Sequence, residues 1–593
     1  MIRNCKFFLI MFFIAGCVAT AFPQLVKGGE QQFRLDYSIE YRNNTQKPKT
    51  LKLEVPVVMT IEPHQKINSL EVFPKPMGYK SSDRGKVAEF RFKQIAPGQT
   101  VKCGYKCVIS TRRLIWNIDA DKVGKDVPAA LSAFCKPEAR IPVNDPAIKN
   151  IVKQVGMGEP NPYYRLWKFY DFIRNFRFQL TNQAAPVLTA LSKRTVQCSD
   201  AAELLITMCR ASGIPARYNG GFFLKESETI LKETHAWAEI YLPGYGWVPV
   251  DPTMGRFDDS TRLSRFCEID SPYIILWKDE NNPFVVQNED NQGNLNISDF
   301  KITVSYKALK GRSGISVNEF YPVSGNLTPV KKINTAQDIP QSVKNFYSEA
   351  DRDYSSGNMK SAEEKLRAAI RTAPYFLPPY RKLVQIYQRS NRLTALKMEF
   401  KNAPDNKNDR GGKSYVLGVI DTQLGNFRDA ASEFTQAYSR GAEPFIIDYN
   451  RGILYTRCKQ ISKALKYLSL SVKNNPSGAP AYKQFIEIMQ YLEDDNSIAA
   501  LCQYAVKFIN TGEFQYEMAR AYMGLSRTKD AVAAAEKAVA LNPADGRYNA
   551  VLGWAYVESG NRSKGKQYID KAISLGISGE QKTFLLNLLK RGK

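Results

Sequence analysis

From about residue 343 onward the chain repeats itself, and no other feature restricts its fold as much. Gly357-Asn358, Ala362, Leu366, Ala369 and Pro374 set a pattern of offsets. The pattern returns at Gly425-Asn426, Ala430, Phe434 and Ala437, and again at Gly452, Tyr455, Ala464, Leu468 and Pro476. It recurs at Ala519, Tyr522, Ala531, Ala535, Ala538 and Pro543, and last at Gly553, Tyr556, Gly560-Asn561, Ile569 and Ala572. Units starting at 343, 377, 411, 445, 479, 512 and 546 are separated by 34, 34, 34, 34, 33 and 34 residues. The second and fifth units carry the pattern weakly. Small residues at fixed offsets let two antiparallel helices approach closely. A helix pair of this length cannot bury its apolar face alone and must stack on its neighbours. The expectation for 341–593 is therefore an all-α solenoid of about seven units, with Glu580 to Lys593 as a capping helix.

This period resembles that of the tetratricopeptide repeat, which implies a groove for a protein or peptide partner, with a purely structural spacer as the other reading. The chain as a whole has 593 residues, which suggests about four domains. Hydrophobic residues make up 44% and charged residues 24%, which excludes a wholly disordered or collagen-like chain. Lysine and arginine exceed the acids by 83 − 58 = 25, a balance that favours anionic partners such as envelope polymers. Only two histidines are present, His64 and His235, which excludes a histidine-rich metal site. Any imidazole chemistry must use one of the two. No metal and no cofactor is expected.

The N-terminus reads as an export signal over residues 1–23. Arg3 and Lys6 precede an apolar run from Phe7 to Ile14, too short to span a bilayer. Two cleavage readings stand. Ile14-Ala15-Gly16-Cys17 is similar to a bacterial lipobox, which would lipidate Cys17, and Ala19-Thr20-Ala21 fits ordinary signal peptidase. Either reading exports the chain to the periplasm or cell envelope, and membrane contact is expected only through a lipid on Cys17. Cys103 and Cys107 share one strand face and read as buried free thiols.

Alternating stretches from Phe33 to Tyr41, Leu51 to Met59, Val87 to Phe92 and Val101 to Ile109, with turns between them, indicate a β-sandwich over 24–115. His64 follows Pro63 there and reads as a loop histidine without function. A mixed α+β domain is expected over 116–310, with helices from Arg165 to Phe176 and from Ser199 to Ser212. Strands are expected from Ala216 to Leu224, His235 to Leu242, Trp247 to Asp251 and Phe300 to Ala308, after a weakly patterned stretch at 256–296. Residues 311–340, rich in Gly, Ser, Asn and Pro, read as a linker.

The candidate chemistry lies between Thr195 and Thr253. Cys198 stands at the start of a helix, where the macrodipole favours a thiolate. Asp200 in the first turn opposes this slightly. Cys209, inside the same helix, reads as a buried hydrophobe. His235 opens a strand on which His235, Trp237, Glu239 and Tyr241 share one face, while Ala236, Ala238, Ile240 and Leu242 face the core. An imidazole held outward on an apolar-backed strand suits a general base. Asp251 ends the next strand and is placed to fix the imidazole's tautomer. A symmetric hairpin with a four-residue loop, Pro243 to Gly246, would set Asp251 opposite about Ala238, on the wrong face. Contact then requires a bulge or register shift, for which Pro249, lacking an N–H, offers a place.

Four blocks occur in order: Gln197-Cys198-Ser199-Asp200, Cys209 to Arg217, His235-Ala236-Trp237-Ala238-Glu239-Ile240, and Gly246 to Thr253. Together they resemble the bacterial transglutaminase-like superfamily. The resemblance implies a papain-like α+β core with Cys198 as nucleophile, His235 as base and Asp251 orienting the imidazole. By analogy Gln197, Trp237 and Trp247 would line the acyl site. Val196 departs from the family, which often has Gly at that position. The resemblance implies attack on an amide of a protein or peptide to give a thioester. Resolution by water makes a cysteine peptidase or amidase, and resolution by a lysine amine makes a cross-linking acyl transferase. A non-catalytic envelope scaffold is the third reading. No basic motif with interleaved aromatics points to nucleic acid.

Overall fold

The computed structural model describes residues 25–590 except 83, 157, 182–183, 225–229, 232–233, 254–264, 280–283, 290–298, 311–313, 324–326 and 328–338. The export-signal reading, including Cys17, lies outside the described residues. Among the described residues no helix is long and apolar enough to cross a membrane.

The N-terminal strands are β1 (Leu25–Arg42), β2 (Lys49–Val57), β3 (Gln65–Phe73), β4 (Gly78–Ser81), β5 (Lys86–Ile95) and β6 (Thr100–Trp116). The middle of the chain forms α1 (Pro146–Gly156), α2 (Pro162–Arg174), β7 (Arg177–Phe178), α3 (Val187–Lys193), β8 (Thr195–Val196), α4 (Cys198–Ala211), β9 (Ala216–Phe223), β10 (Ile230–Leu231), β11 (His235–Leu242) and β12 (Gly246–Val250). It continues through β13 (Glu268–Ile269), β14 (Tyr273–Lys278), β15 (Val285–Asn288) and β16 (Phe300–Lys310).

Two sheets form the sandwich. One has the order β10-β16-β1-β6-β13, with β3 also on β6, and the other the order β15-β2-β5-β4. Leu35 and Ile39 of β1 and Tyr105 of β6 meet Leu53 and Val55 of β2 and Phe90 of β5 between them. The domain boundaries differ from the sequence expectation. β15 and β16, assigned above to the mixed domain, complete the sandwich: Val286 pairs with Leu53 and Val304 with Tyr37. The reason is that the long β1 needs a partner on each edge. β6 supplies one and β16 the other, so the mixed domain is an insertion between them.

That insertion carries a sheet of order β12-β11-β9-β14. α4 covers one face through Leu204, Leu205 and Met208, which join Ala238, Ile240 and Val248 in one core. The sandwich covers the other face, where Leu114 and Ile269 pack on Trp237, Tyr273 and Ile275. The face of β11 expected to point outward is thus buried. His64 is not an idle loop residue either. It is 4% exposed. Its Nδ1 lies 2.7 Å from the Arg112 carbonyl and its Nε2 2.8 Å from the Tyr273 carbonyl, joining the sandwich to the sheet of the insertion. Cys103 and Cys107 are free and buried.

The solenoid comprises α5 (Gln341–Ser355), α6 (Met359–Thr372), α7 (Pro378–Arg389), α8 (Leu393–Asn402), α9 (Gly412–Leu424), α10 (Phe427–Ser439), α11 (Pro444–Arg457), α12 (Ile461–Asn474), α13 (Ala479–Leu492), α14 (Asp495–Ala505), α15 (Gly512–Gly524), α16 (Thr528–Leu541), α17 (Gly546–Glu558) and α18 (Arg562–Ser574), closed by α19 (Gly579–Lys590). Each pair turns through one left-handed residue: Gly357, Asn391, Gly425, Lys459, Glu493, Ser526 and Gly560 all have positive φ. The aligned Gly-Asn signature marks this turn: the glycine takes the left-handed conformation at least cost, and the asparagine after it is the N-cap residue of the next helix.

The arm does not hang from a tether. Three successive turns dock edge-on against the rest of the molecule. Phe427 stacks edge-to-face on Trp167 of α2 at 4.5 Å. The Cys458 carbonyl accepts from Tyr163 Oη at 2.6 Å. The Tyr491 carbonyl accepts from Arg113 Nη1 at 2.9 Å. The expected linker is also engaged where described: Ile315 N donates to Leu492 O at 2.8 Å and Val317 N to Asp494 Oδ2 at 2.7 Å. Away from this docking, Tyr347, Arg381, Tyr415, Tyr449 and Asn450, from the first helices of successive pairs, line a pocket.

Candidate active site

α4 begins with Cys198 itself, and Gln197 is its N-cap residue. The thiol is partly exposed at the positive end of the helix. Asp200 sits in the first turn, but its Oδ1 accepts from Ala185 N at 2.8 Å and its Oδ2 from Gln197 N at 3.3 Å. Burial pushes its pKa up, against the hydrogen bonds from Gln197 and Ala185 and the nearby Arg140. Val196 is buried and its carbonyl accepts from Gln179 N at 3.0 Å, so its side chain belongs to the core.

The imidazole of His235 lies between Cys198 and Asp251. Its Nε2 is 2.6 Å from Asp251 Oδ2. With Nε2 so engaged, the other ring nitrogen serves the hydrogen bond with Cys198. Burial alone would lower the His235 pKa. The Asp251 charge and hydrogen bond, with the Cys198 contact, overcome it and raise the value to about 10. For Asp251 burial works upward, yet the His235 cation holds the carboxyl down at about 2. Three rings box the imidazole: Trp237 at 5.9 Å, Tyr273 at 5.6 Å and Phe223 at 6.0 Å between centroids.

No bulge brings Asp251 to the histidine. The β11–β12 turn is one residue shorter than expected: Leu242 pairs with Gly246, and Ala238 with Val250. Asp251 therefore follows on the face of Trp237 and His235. Pro249 pairs regularly with Glu239. Gly221 stands across from His235, and a Cβ there would come within 1.8 Å of the Ile274 carbonyl. Glycine lets β14 close on β9 and brings Tyr273 to the site.

Two expected lining residues are placed otherwise. Trp237 is 1% exposed and walls the back of the imidazole, not a substrate channel. Trp247 pairs with Tyr241, six residues along β11 from His235, or about 20 Å. There it packs on Phe134 at 5.0 Å under the Arg217 guanidinium. Gln197 adjoins Cys198, with its Oε1 3.4 Å from Thr181 N.

Sequence reasoning missed Tyr273. Its hydroxyl donates to Asp251 Oδ2 at 2.7 Å, while Thr253 gives Oδ1 an N–H at 2.9 Å and a hydroxyl at 2.7 Å. Thr253 lies two residues past Asp251 at the end of a quoted block, but Tyr273 carried no signal in a weakly patterned stretch. Chemically, the array can hold a thiol proton on an imidazole whose charge a fixed carboxylate stabilises.

Residues 149–252 match the family model of the transglutaminase-like superfamily core, and residues 415–479 and 516–575 match a tetratricopeptide-repeat model. Among solved structures, the chain is similar to a protein described as a candidate cysteine protease from Cytophaga hutchinsonii. Identity is 17%, over 48% of this chain and 100% of that one, with a TM-score of 0.34. It is similar to a tetratricopeptide repeat protein from Parabacteroides merdae ATCC 43184 at 18% identity, over 42% of this chain and 100% of that one, with a TM-score of 0.26. For yeast Tom70 the identity is 12%, over 45% of this chain and 69% of that one, with a TM-score of 0.27. No curated protein matches the chain.

Proposed function

On the premise that this chain joins a transglutaminase-like core to a tetratricopeptide-repeat arm, we propose that it is a thiol enzyme acting on amide bonds of proteins or peptides. Cys198 is the nucleophile, His235 takes and returns its proton, and Asp251 fixes the imidazole. The observation that carries this reading is His235 Nε2 at 2.6 Å from Asp251, with Cys198 at the other side of the ring. The start of α4 offers N–H groups to the oxyanion of the tetrahedral intermediate. Collapse expels the amine and leaves a thioester, which water resolves, making the enzyme a peptidase or amidase. The arm takes a protein partner. The chain acts after export, and its net positive charge favours anionic envelope polymers.

The test uses an amide-directed thiol probe on the protein and on Cys198→Ala and His235→Ala. Labelling that requires both residues supports the assignment. Labelling that ignores both removes it and leaves an envelope scaffold. Turnover with a labelled primary amine then separates the outcomes: hydrolysis leaves the amine free, and incorporation makes the enzyme an acyl transferase.

A further inference from the structure

One segment, Arg265–Asp270, stands between Asp251 and the repeat arm, and it is gripped from both sides. On the arm side, the buried Glu268 carboxylate receives Lys459 Nζ on Oε2 at 2.6 Å, and the Tyr491 hydroxyl on the same oxygen. Arg113 Nη2 lies 3.6 Å from it. Glu268 Oε1 accepts from the Arg265 backbone N–H at 3.1 Å. On the catalytic side, the Arg265 carbonyl accepts from Asp251 N at 2.8 Å, and Phe266 bridges to Val250. The Arg265 guanidinium lies over the Tyr273 ring at 5.5 Å. Tyr273 in turn donates to Asp251 Oδ2, the oxygen that His235 uses.

Two features set this segment apart. Arg265 and Cys267 both have positive φ, at 70° and 55°, a conformation that side-chain-bearing residues seldom adopt. They need outside support to hold it. Lys459 itself occupies the left-handed turn position that is glycine in three other units, with φ 55°. A lysine there is a poor choice for the turn alone, and this one is buried against Glu268.

We propose that Lys459 and Glu268 are positioning residues for the Cys198–His235–Asp251 site, so that the docked arm is part of what orients the imidazole. This rests on the thiol-enzyme reading above. Lys459 and Tyr491 hold Glu268, Glu268 holds the left-handed segment, and the segment sets the Arg265 carbonyl and the Tyr273 ring that fix Asp251. The charged and titratable groups around Glu268 are Lys459, Arg113, Arg265 and Tyr491, with the buried Cys267 and Tyr170 also within reach of its charge. Those facing His235 are Cys198 and Asp251, with Tyr273 behind the carboxylate.

The decisive variant is Lys459→Gly in the full-length protein, because glycine suits the turn while the ion pair to Glu268 and the ammonium over the Tyr491 ring are both lost. With two histidines in the chain, labelled His235 is followed by NMR and assigned by the loss of one signal in His64→Gln. The readouts are its titration midpoint, the Cys198 alkylation rate against pH, and the melting temperature. The expected result is a midpoint lower by about one pH unit and alkylation at neutral pH slower by about tenfold, beside a lower melting temperature because Glu268 is left buried without its lysine. Glu268→Gln and Tyr491→Phe shift the same way, and Lys459→Arg restores most of the loss. A parent-like midpoint and alkylation profile in Lys459→Gly and Tyr491→Phe overturns the proposal and leaves Lys459 as domain cement. If the parent's alkylation is itself unchanged by His235→Ala, the thiol-enzyme reading fails first and takes this inference with it.

Discussion

At the scale of single residues, the site depends on how firmly Asp251 is held. Hydrogen bonds from Thr253, Tyr273 and His235 reach both carboxylate oxygens and fix its orientation. In Asp251→Asn the amide cannot stabilise the imidazolium, and kcat/KM on an amide substrate is expected to fall by about 10³-fold or more. The pH dependence follows from the directions of the shifts. The His235 pKa is raised from 6.5 to about 10, so its stabilisation is complete below 6.5 and is lost as pH rises through 10. The Asp251 pKa is lowered from 3.8 to about 2, so its contribution is present above 3.8 and is lost as pH falls through 2. Thermal melts from pH 6 to 10 therefore show a decline in the parent that is shallower in Asp251→Asn. Tyr273→Phe removes one charge-assisted bond, of about 1.5–3 kcal/mol. It is expected to lower kcat/KM by roughly tenfold, and the Asp251 pKa rises because a bond that held it down is gone. Cys198, His235 and Asp251 were legible because each sits in a dense local motif. Tyr273 was not, because its partner lies 22 residues away across a stretch with no clear period.

At the scale of elements, the sheet that carries the candidate site is built by close approach. β9 carries Gly220 and Gly221, where a Cβ would meet the Trp277 ring at 2.2 Å and the Ile274 carbonyl at 1.8 Å. Backbone cannot yield as a side chain end does, so Gly221→Ala must part β9 from β14. The expected cost is about 3 kcal/mol, toward the upper end for overpacking, read as a lower urea midpoint with unchanged m-value. Thiol alkylation should slow with it, because β14 carries Tyr273. The sequence pattern located β9, β11 and β12 but misjudged the hairpin by one residue. Period-two alternation says which residues share a face within a strand and nothing about how many residues the turn consumes. β3 went unseen for a related reason. It lies on the edge of its sheet, mostly half-buried or exposed, so it needs no clean alternation. β14 is buried on both faces and reads as an unbroken apolar run, which periodicity does not distinguish from a core helix.

At the scale of the whole molecule, the repeat was fully readable and its docking was not. A 34-residue period reports the stacking of helix pairs, because every unit must solve the same packing problem. Docking uses residues that no other unit shares: Phe427 against Trp167, Gln460 on Tyr164 at 2.9 Å, and Lys463 on Asp119 at 2.6 Å. These carry no period. The segment at 311–340 misled for a similar reason, since Ile315, Val317 and Phe320 are buried singly among linker-like residues. Arm and catalytic domain thus share one apolar core, which predicts that damage on one side is felt on the other. Trp167 belongs to α2, yet its ring packs on Phe427, and a Cβ on Gly425 would come within 2.8 Å of it. Trp167→Ala opens a cavity between the two, at a cost of about 3–5 kcal/mol for a large aromatic. Hydrogen exchange by mass spectrometry should then show lost protection in α9 and α10, which lie wholly in the arm, while α15 to α18 keep theirs. A merely tethered arm would leave the exchange of α9 and α10 untouched by a change in α2, and that result would return the solenoid to the status of an independent module.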